Sequence, residues 1–307
     1  KGGLFIVFAS FLWLLPSAGH AQACTVSIDA TSFLTVQAAV NAAVSGNTIL
    51  VSGTCNENVF VFEGKDRITL DGQAVATSTI NGPDPTSASV FVNARSVTIR
   101  RFTITGGRQG VFVNLGGEAT IDGNQIQFVG EAGVQVNRNG DATIINNTIQ
   151  NNPNEGIRIS ENSVGRIGLT GGDATAASPN TIQTNGGRGI SVTGSSNARI
   201  AGNTISGNTD DGIGVTGVSQ VDAASNVISG NGGDGIFVSE NSGVNLGNDT
   251  GLTFLDLPNS TVANNIGFGL RCAINSYADG RLGTLNGGSG PGVIFSPRAT
   301  CDGVAAR

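Results

Sequence analysis

Residues 203–215 (NTISGNTDDGIGV) and 226–238 (NVISGNGGDGIFV) are one phrase written twice, with Asn226 falling 23 residues after Asn203. Each opens Asn-x-Ile, places a second Asn three residues past the Ile, and closes on Gly-Ile-x-Val. Earlier copies start at Asn124, Asn147 and Asn180. A repeat of this length, built of short apolar pairs between Gly and Asn with no amphipathic helix inside it, is one coil of a β-solenoid. The spacing therefore predicts an all-β chain whose strands stack coil upon coil.

Three inward columns follow from alternation along each strand. One runs Val61, Val90/Val92, Val111/Val113, Val134/Val136, Ile157/Ile159, Ile190/Val192, Ile213/Val215, Ile236/Val238 and Leu270. A second holds Ile121, Ile144, Ile167, Ile200 and Leu246, and a third Ile126, Ile149, Ile182, Ile205, Ile228 and Val262. Three strands per coil over about nine coils give a rod roughly 43 Å long at the ~4.8 Å strand spacing. Asn152, Asn185, Asn208, Asn231 and Asn265 form one more column. They are expected to build an asparagine ladder that satisfies buried backbone groups at a turn.

The start of the chain does not share this pattern. An apolar run over residues 4–15 lies between Lys1 and Pro16 and is followed by Ala21-Gln22-Ala23. Residues 1–23 read as a secretory signal peptide. At ~1.5 Å per residue the run is too short for a ~30 Å hydrocarbon core. Residues 24–307 are expected to form a single domain, with an N-terminal cap (24–58), coils (59–271) and a C-terminal cap (272–307).

Beyond residue 23 the chain keeps 15 basic and 22 acidic residues; the one His (His20) and the one Trp (Trp13) fall within the leader. Imidazole bases, Ser-His pairs and His-ligated zinc or copper are thereby excluded. A net-negative chain whose one lysine past the leader is Lys65 has no electrostatic footprint for nucleic acid. Four cysteines, Cys24, Cys55, Cys272 and Cys301, allow three pairings. Their grouping favours Cys24 with Cys55 and Cys272 with Cys301, stapling the two ends of the array where strand edges would be open.

Between the first two cysteines, Val36, Ala39, Val40 and Ala43 share one helical face. Ser32 or Thr35 is placed to cap that helix and Gly46 to end it, so a short helix should lid the core. Phe33-Leu34-Thr35-Val36-Gln37-Ala38-Ala39-Val40 resembles the opening phrase of the pectin-lyase-like, right-handed parallel β-helix superfamily. Gly53-Thr54-Cys55-Asn56-Glu57-Asn58-Val59 is similar to the Gly-x-Tyr-x-Glu of its pectin methylesterases, with Cys55 in the place of Tyr. The resemblance implies a right-handed parallel β-helix, and with it a relation to polysaccharides.

The repeat glycine advances by one period from Gly110 to Gly133 and Gly156, then takes long steps to Gly189 and, past Gly212 and Gly235, to Gly269. The added residues, 168–179 and 247–258, follow the second inward column and precede the third. Two loops ~14 Å apart are thus expected on one edge, three coils from each other. On the bracketed coils, Glu155, Arg188, Asp211 and Asp234 stand in line before the repeat glycine, with Arg158 and Asp210 near enough to join. Asp211 and Asp234 should lie ~5 Å apart, a separation suited to a carboxylate pair in glycoside cleavage or to shared calcium ligation.

Asn208-Thr209-Asp210-Asp211 is similar to the Asn-Thr-Asp of polygalacturonases, but their Gly-His-Gly has no counterpart here. Pectate lyases, similar in fold, imply calcium and an arginine base; their His- and Trp-containing signatures are absent. Tyr277 is the one Tyr or Trp past the leader on which a sugar could stack. The leading expectation is a secreted, periplasmic or cell-surface β-helix protein that binds a glycan or envelope partner without catalysis and needs no cofactor. The alternatives are a polysaccharide lyase or glycoside hydrolase using Asp210, Asp211, Asp234, Arg188 and Arg158, with calcium on Asp211 and Asp234, or a purely structural rod.

Overall fold

The computed structural model describes residues 23–170, 177–247, 257–281, 283–287, 290–291, 293–295 and 304–305. It is a parallel β-solenoid with three strands to the coil. Among the described residues the front sheet has ten strands, from Val59–Val61 to Val293–Phe295. The chain then runs through a flank strand, such as Glu118–Asp122 or Asn197–Ala201, and a back strand, such as Gln125–Gln127 or Thr204–Ser206.

Register is kept column by column: Val111 pairs with Val134, Ile121 with Ile144 and Ile126 with Ile149. Like side chains therefore stack on like, and the Val and Ile columns are fully buried. The side chain of Val262, assigned to the third column, lies outside the described residues. Ala223 occupies the second column between Ile200 and Leu246.

Each coil closes because its corners adopt left-handed backbone. In one coil these are Arg138 and Asn139 after the front strand, Asn146 between flank and back, and Asn151 between back and front, with φ of 48°, 62°, 57° and 56°. Gly and Asn tolerate that region best, which is why the sequence is rich in both.

The corners are held along the axis by side-chain ladders. The expected one is present: Asn152, Asn185, Asn208 and Asn231 each donate Nδ2–H to the Oδ1 of the next member, at 3.0, 2.9, 2.9 and 2.9 Å, ending on Asn265. A second runs through Asn124, Asn147, Asn180, Asn203, Asn226 and Asn259 at the flank-to-back corner. A serine line, in which the Ser163 N–H donates to Ser196 Oγ and so on to Ser276, holds the third corner. These amides also take up buried carbonyls, as Asn147 Nδ2 does with Ile121 O at 2.8 Å.

The first coil starts earlier than the repeat implied. Strand Thr48–Asn56 already pairs with Thr69–Asp71 and Ser78–Gly82, because Ile49, Val51 and Cys55 point into the core. The lid is helix Val36–Ala42, capped by Thr35, whose hydroxyl accepts the Ala38 N–H at 3.0 Å; Ala43, rather than Gly46, ends it. Glu57 binds the first helical N–H groups, those of Val36 and Gln37, at 2.8 and 2.9 Å.

Cys24 and Cys55 form the expected disulfide. Cys272 is buried, and among the described residues no cysteine is free; its expected partner Cys301 lies outside them. Among the described residues no helix is long and apolar enough to cross a membrane.

Candidate functional site: a polar groove on the front face

The outward position of the front strands changes character along the rod. It is Phe60, Phe91 and Phe112 at the start, then Gln135, Arg158, Ser191 and Gly214, and finally Phe237 and Arg271. The first three rings form an aromatic row, tilted and then edge-on, with centroids 6.3 and 5.7 Å apart. Where the phenylalanines stop, the face opens into a polar groove. It consists of a hollow of 340 Å³ between Phe112 and Arg158 and one of 410 Å³ reaching Thr216, with Gln135 and Arg158 common to both.

Glu155, Arg188, Asp211 and Asp234 do stack beside this groove, at the corner where each coil enters the front sheet. The two aspartates are 3% exposed. Asp211 Oδ1 accepts the Asp234 N–H at 2.8 Å and its Oδ2 accepts Arg188 Nε at 2.9 Å. Asp234 repeats the pattern one coil on, with the Phe268 N–H at 2.8 Å and Arg271 Nε at 2.6 Å. Each carboxylate therefore bridges one coil to the next and neutralises one guanidinium.

Gly214 makes the first of these pairs possible. A Cβ there would stand 2.5 Å from Arg188 Cδ and 2.6 Å from its Nε, so the arginine lies across the glycine. Its guanidinium approaches Phe237 at 5.5 Å from one side, and that of Arg271 at 4.5 Å from the other. Burial pushes the Asp211 carboxyl up to about 6, against the lowering effect of the Asp234 N–H and of Arg188.

The remaining candidates are nearer the solvent. Asp210 is more than half exposed and 3.5 Å from Arg188, while Arg158 pairs with Glu155 at 2.6 Å.

The chemistry open to this line follows from those contacts. A general acid or base needs a carboxyl oxygen turned to the substrate, and calcium needs six to eight oxygens. Both oxygens of Asp211 and of Asp234 already accept N–H groups. Among the described residues one group of three potential metal ligands converges, Cys24, Cys55 and Glu57, and its two sulfurs form the disulfide. Where their spacing suggested a free pair or a shared cation site, the aspartates have each oxygen engaged by an N–H group of the fold.

The two long insertions depart from a different corner of the coil. They leave the coil at Gly168 and Gly247, at the flank-to-back corner, whereas the acidic line stands at the back-to-front corner. Residues 171–176 and 248–256 lie outside those described.

What the sequence did not flag are the groove's own polar groups. Gln109 Nε2 donates to Gln135 Oε1 and to Glu131 Oε2, at 3.1 and 3.0 Å. Asn114 is 6% exposed, and its Oδ1 has no hydrogen-bond partner; nor has Glu155 Oε2. Both residues line the groove. Buried polar atoms without partners are rare and mark places where a ligand or water completes the bonding.

Residues 88–167 and 158–282 match the family model described as right handed beta helix region. The chain belongs to the right-handed β-helix family. No curated protein sequence matches it.

Among solved structures, this β-helix is similar to the mannuronan C-5 epimerase AlgE6 A-module of Azotobacter vinelandii. The two are 18% identical over 86% of this chain and 83% of that one, with a TM-score of 0.52. A variant of the periplasmic alginate epimerase AlgG is 13% identical, over 85% of each chain, at a TM-score of 0.52. The enzymatically active domain of bacteriophage CBA120 tailspike protein 2 is 14% identical at a TM-score of 0.54; it covers 88% of this chain, which spans 44% of that one. At these identities the likeness is one of fold.

Proposed function

We propose that this β-helix protein is exported and binds an extended polysaccharide along its front groove without cleaving it. The observation that carries the reading is the fate of the acidic line: Asp211 and Asp234 spend both oxygens on backbone N–H groups and on Arg188 and Arg271. Groups so engaged hold coils together and are not poised for proton transfer. The groove beside them is long, open and lined by amides, hydroxyls and paired ions, the surface that a hydroxylated polymer needs. Gln135, Arg158, Ser191 and Thr216 line it with amide, guanidinium and hydroxyl groups that can bond sugar hydroxyls. Two proteins of the same fold are named as a mannuronan C-5 epimerase and an alginate epimerase, which agrees with a polysaccharide as ligand.

A carbohydrate-active enzyme is the second reading, favoured by the Asp211 carboxyl at about 6 and by the free oxygen of Glu155. Affinity electrophoresis through gels containing neutral and acidic polysaccharides tests the binding claim. Migration should be retarded in at least one gel, and a variant with Asn114→Ala and Gln135→Ala should lose most of that retardation. Unretarded migration in every gel, or equal retardation of the variant, would rule out the groove as the binding site.

A further inference from the structure

The flank face carries two arginines that the front groove does not use. Strands Val164–Ile167 and Asn197–Ala201 pair in a register that sets Arg166 directly beside Arg199, and neighbouring strands stand ~4.8 Å apart. Like charges so placed on one sheet face repel. Their acidic neighbours lie outside the pair and at a distance: Arg166 Nη1 is 3.9 Å from Asp141 Oδ1, and Arg199 Nε is 3.6 Å from Asp222 Oδ2. Asp222 is also held by Asn245 Nδ2 at 2.9 Å. Both guanidiniums stay substantially open to solvent, 39% and 47% exposed by side chain.

A groove of 330 Å³ runs over this pair, with Gly165 and Ala198 in its lining and Asn197 and Gln220 along it. Tyr277 extends the same face. A Cβ on Gly243 would lie 2.2 Å from the Tyr277 Cζ, so the ring lies across the glycine. Its hydroxyl donates to Gln220 Oε1 at 2.6 Å, which leaves the Gln220 NH₂ as the donor for the groove. The chain has one tyrosine, and it is 40% exposed at this spot.

We propose that this flank groove is a second binding site, for an oligosaccharide that carries carboxylate or sulfate groups. An anion between Arg166 and Arg199 replaces their repulsion by charge-assisted hydrogen bonds, which planar guanidinium makes in pairs to carboxylate or sulfate oxygens. The apolar face of a sugar ring stacks on an open aromatic ring, while its hydroxyls meet Asn197 and Gln220. From the strand of Tyr277 to that of Arg166 is four strand steps, about 19 Å, room for a short oligosaccharide. The site stands on its own observations and does not depend on the front groove.

Titration calorimetry of the full chain with tetragalacturonate, a sulfated tetrasaccharide and neutral maltotetraose tests it. At least one anionic ligand should bind, and maltotetraose at least ten-fold more weakly. Arg166→Gln combined with Arg199→Gln should weaken the anionic ligand ten-fold or more, and Tyr277→Ala several-fold. The part of the binding that Arg166→Gln with Arg199→Gln removes should be unchanged in Asn114→Ala with Gln135→Ala. If the arginine variant does not fold, ligand-induced shifts of the Asn197 and Gln220 side-chain amides in the wild-type NMR spectrum decide instead. Failure of both anionic ligands to bind, equal binding of the neutral one, or undiminished binding by the arginine variant overturns the site. Loss confined to the front-groove variant overturns it while supporting the front groove.

Discussion

Asp211 is sunk deep among the coils with a single guanidinium beside it, whereas Asp71, as little exposed but with less protein packed around it, has two. Burial raises both carboxyls; at Asp71 the Arg101 side chain, the Gln73 N–H and Arg100 outweigh it and hold the group below its usual value. At Asp211 they do not, and the carboxyl rises to about 6. The consequences for stability have opposite signs. A raised carboxyl binds its proton better in the folded state, so the contribution of Asp211 is fully present below about pH 4 and is lost as pH climbs through 6. A rise of that size, from the ordinary value of an aspartate to about 6, corresponds to roughly 3 kcal/mol. Asp71 stabilises above its unfolded value and ceases to do so as pH falls through its lowered one. Chemical denaturation between pH 4 and 7 should therefore show wild type weakening, and Asp211→Asn should flatten that slope. An unchanged slope would mean that Asp211 is not the titrating group. Gly214 gives an independent check at the same scale. Gly214→Val would drive Arg188 from its place over the glycine and leave Asp211 a buried, unpaired charge, at a cost of about 3 kcal/mol. In the Asp211→Asn background, which removes the charge, the same change should cost less than half of that, and equal losses would argue against the Arg188–Asp211 pairing.

The coil is the element on which the chain is built, and its inward half is legible in the sequence. Ile and Val recur at fixed spacing because register stacks like on like, and an error of one residue would turn a column out to solvent. The ladder through Asn152 to Asn265 is legible for the same reason. Its partner through Asn124 to Asn259 is visible as the first letter of the phrase Asn-x-Ile, yet period alone does not say that the letter points inward. The first coil is hidden because Thr48–Asn56 lacks that phrase and runs straight from flank to back. The outward half is harder still. Period places Asp211 next to Asp234, but which oxygen meets which nitrogen depends on Gly214 leaving room and on Arg271 reaching back from the following coil. For the same reason the groove residues Asn114 and Gln135 give no signal beyond a column that stops being Phe. The ends carry their own prediction: the Cys24–Cys55 disulfide closes a span of 31 residues, worth on the order of 3.5 kcal/mol in the unfolded-state model. Reduction should raise hydrogen exchange around the helix Val36–Ala42 and leave the central Ile and Val columns protected. Uniform loss of protection along the rod would show that the cap does not stand apart.

As a whole the molecule is a rod in which two buried aspartates, Asp211 and Asp234, hold successive coils together, and whose grooves face outward on two sides. The insertions at Gly168 and Gly247 leave from a different corner than the acidic line. The hollows on the front face, between Phe112 and Thr216, are not lined by Asp211 or Asp234. The function proposed above is binding without turnover. The most direct test is a prolonged incubation of the purified chain with each polysaccharide that retards it, at pH 5 to 7. New reducing ends and unsaturated products would be followed by absorbance, and uronate inversion by NMR. Binding should persist, and no product should accumulate above the protein-free control. Product that grows in proportion to protein and disappears in Glu155→Gln or Asp211→Asn would contradict a rod that binds without turnover.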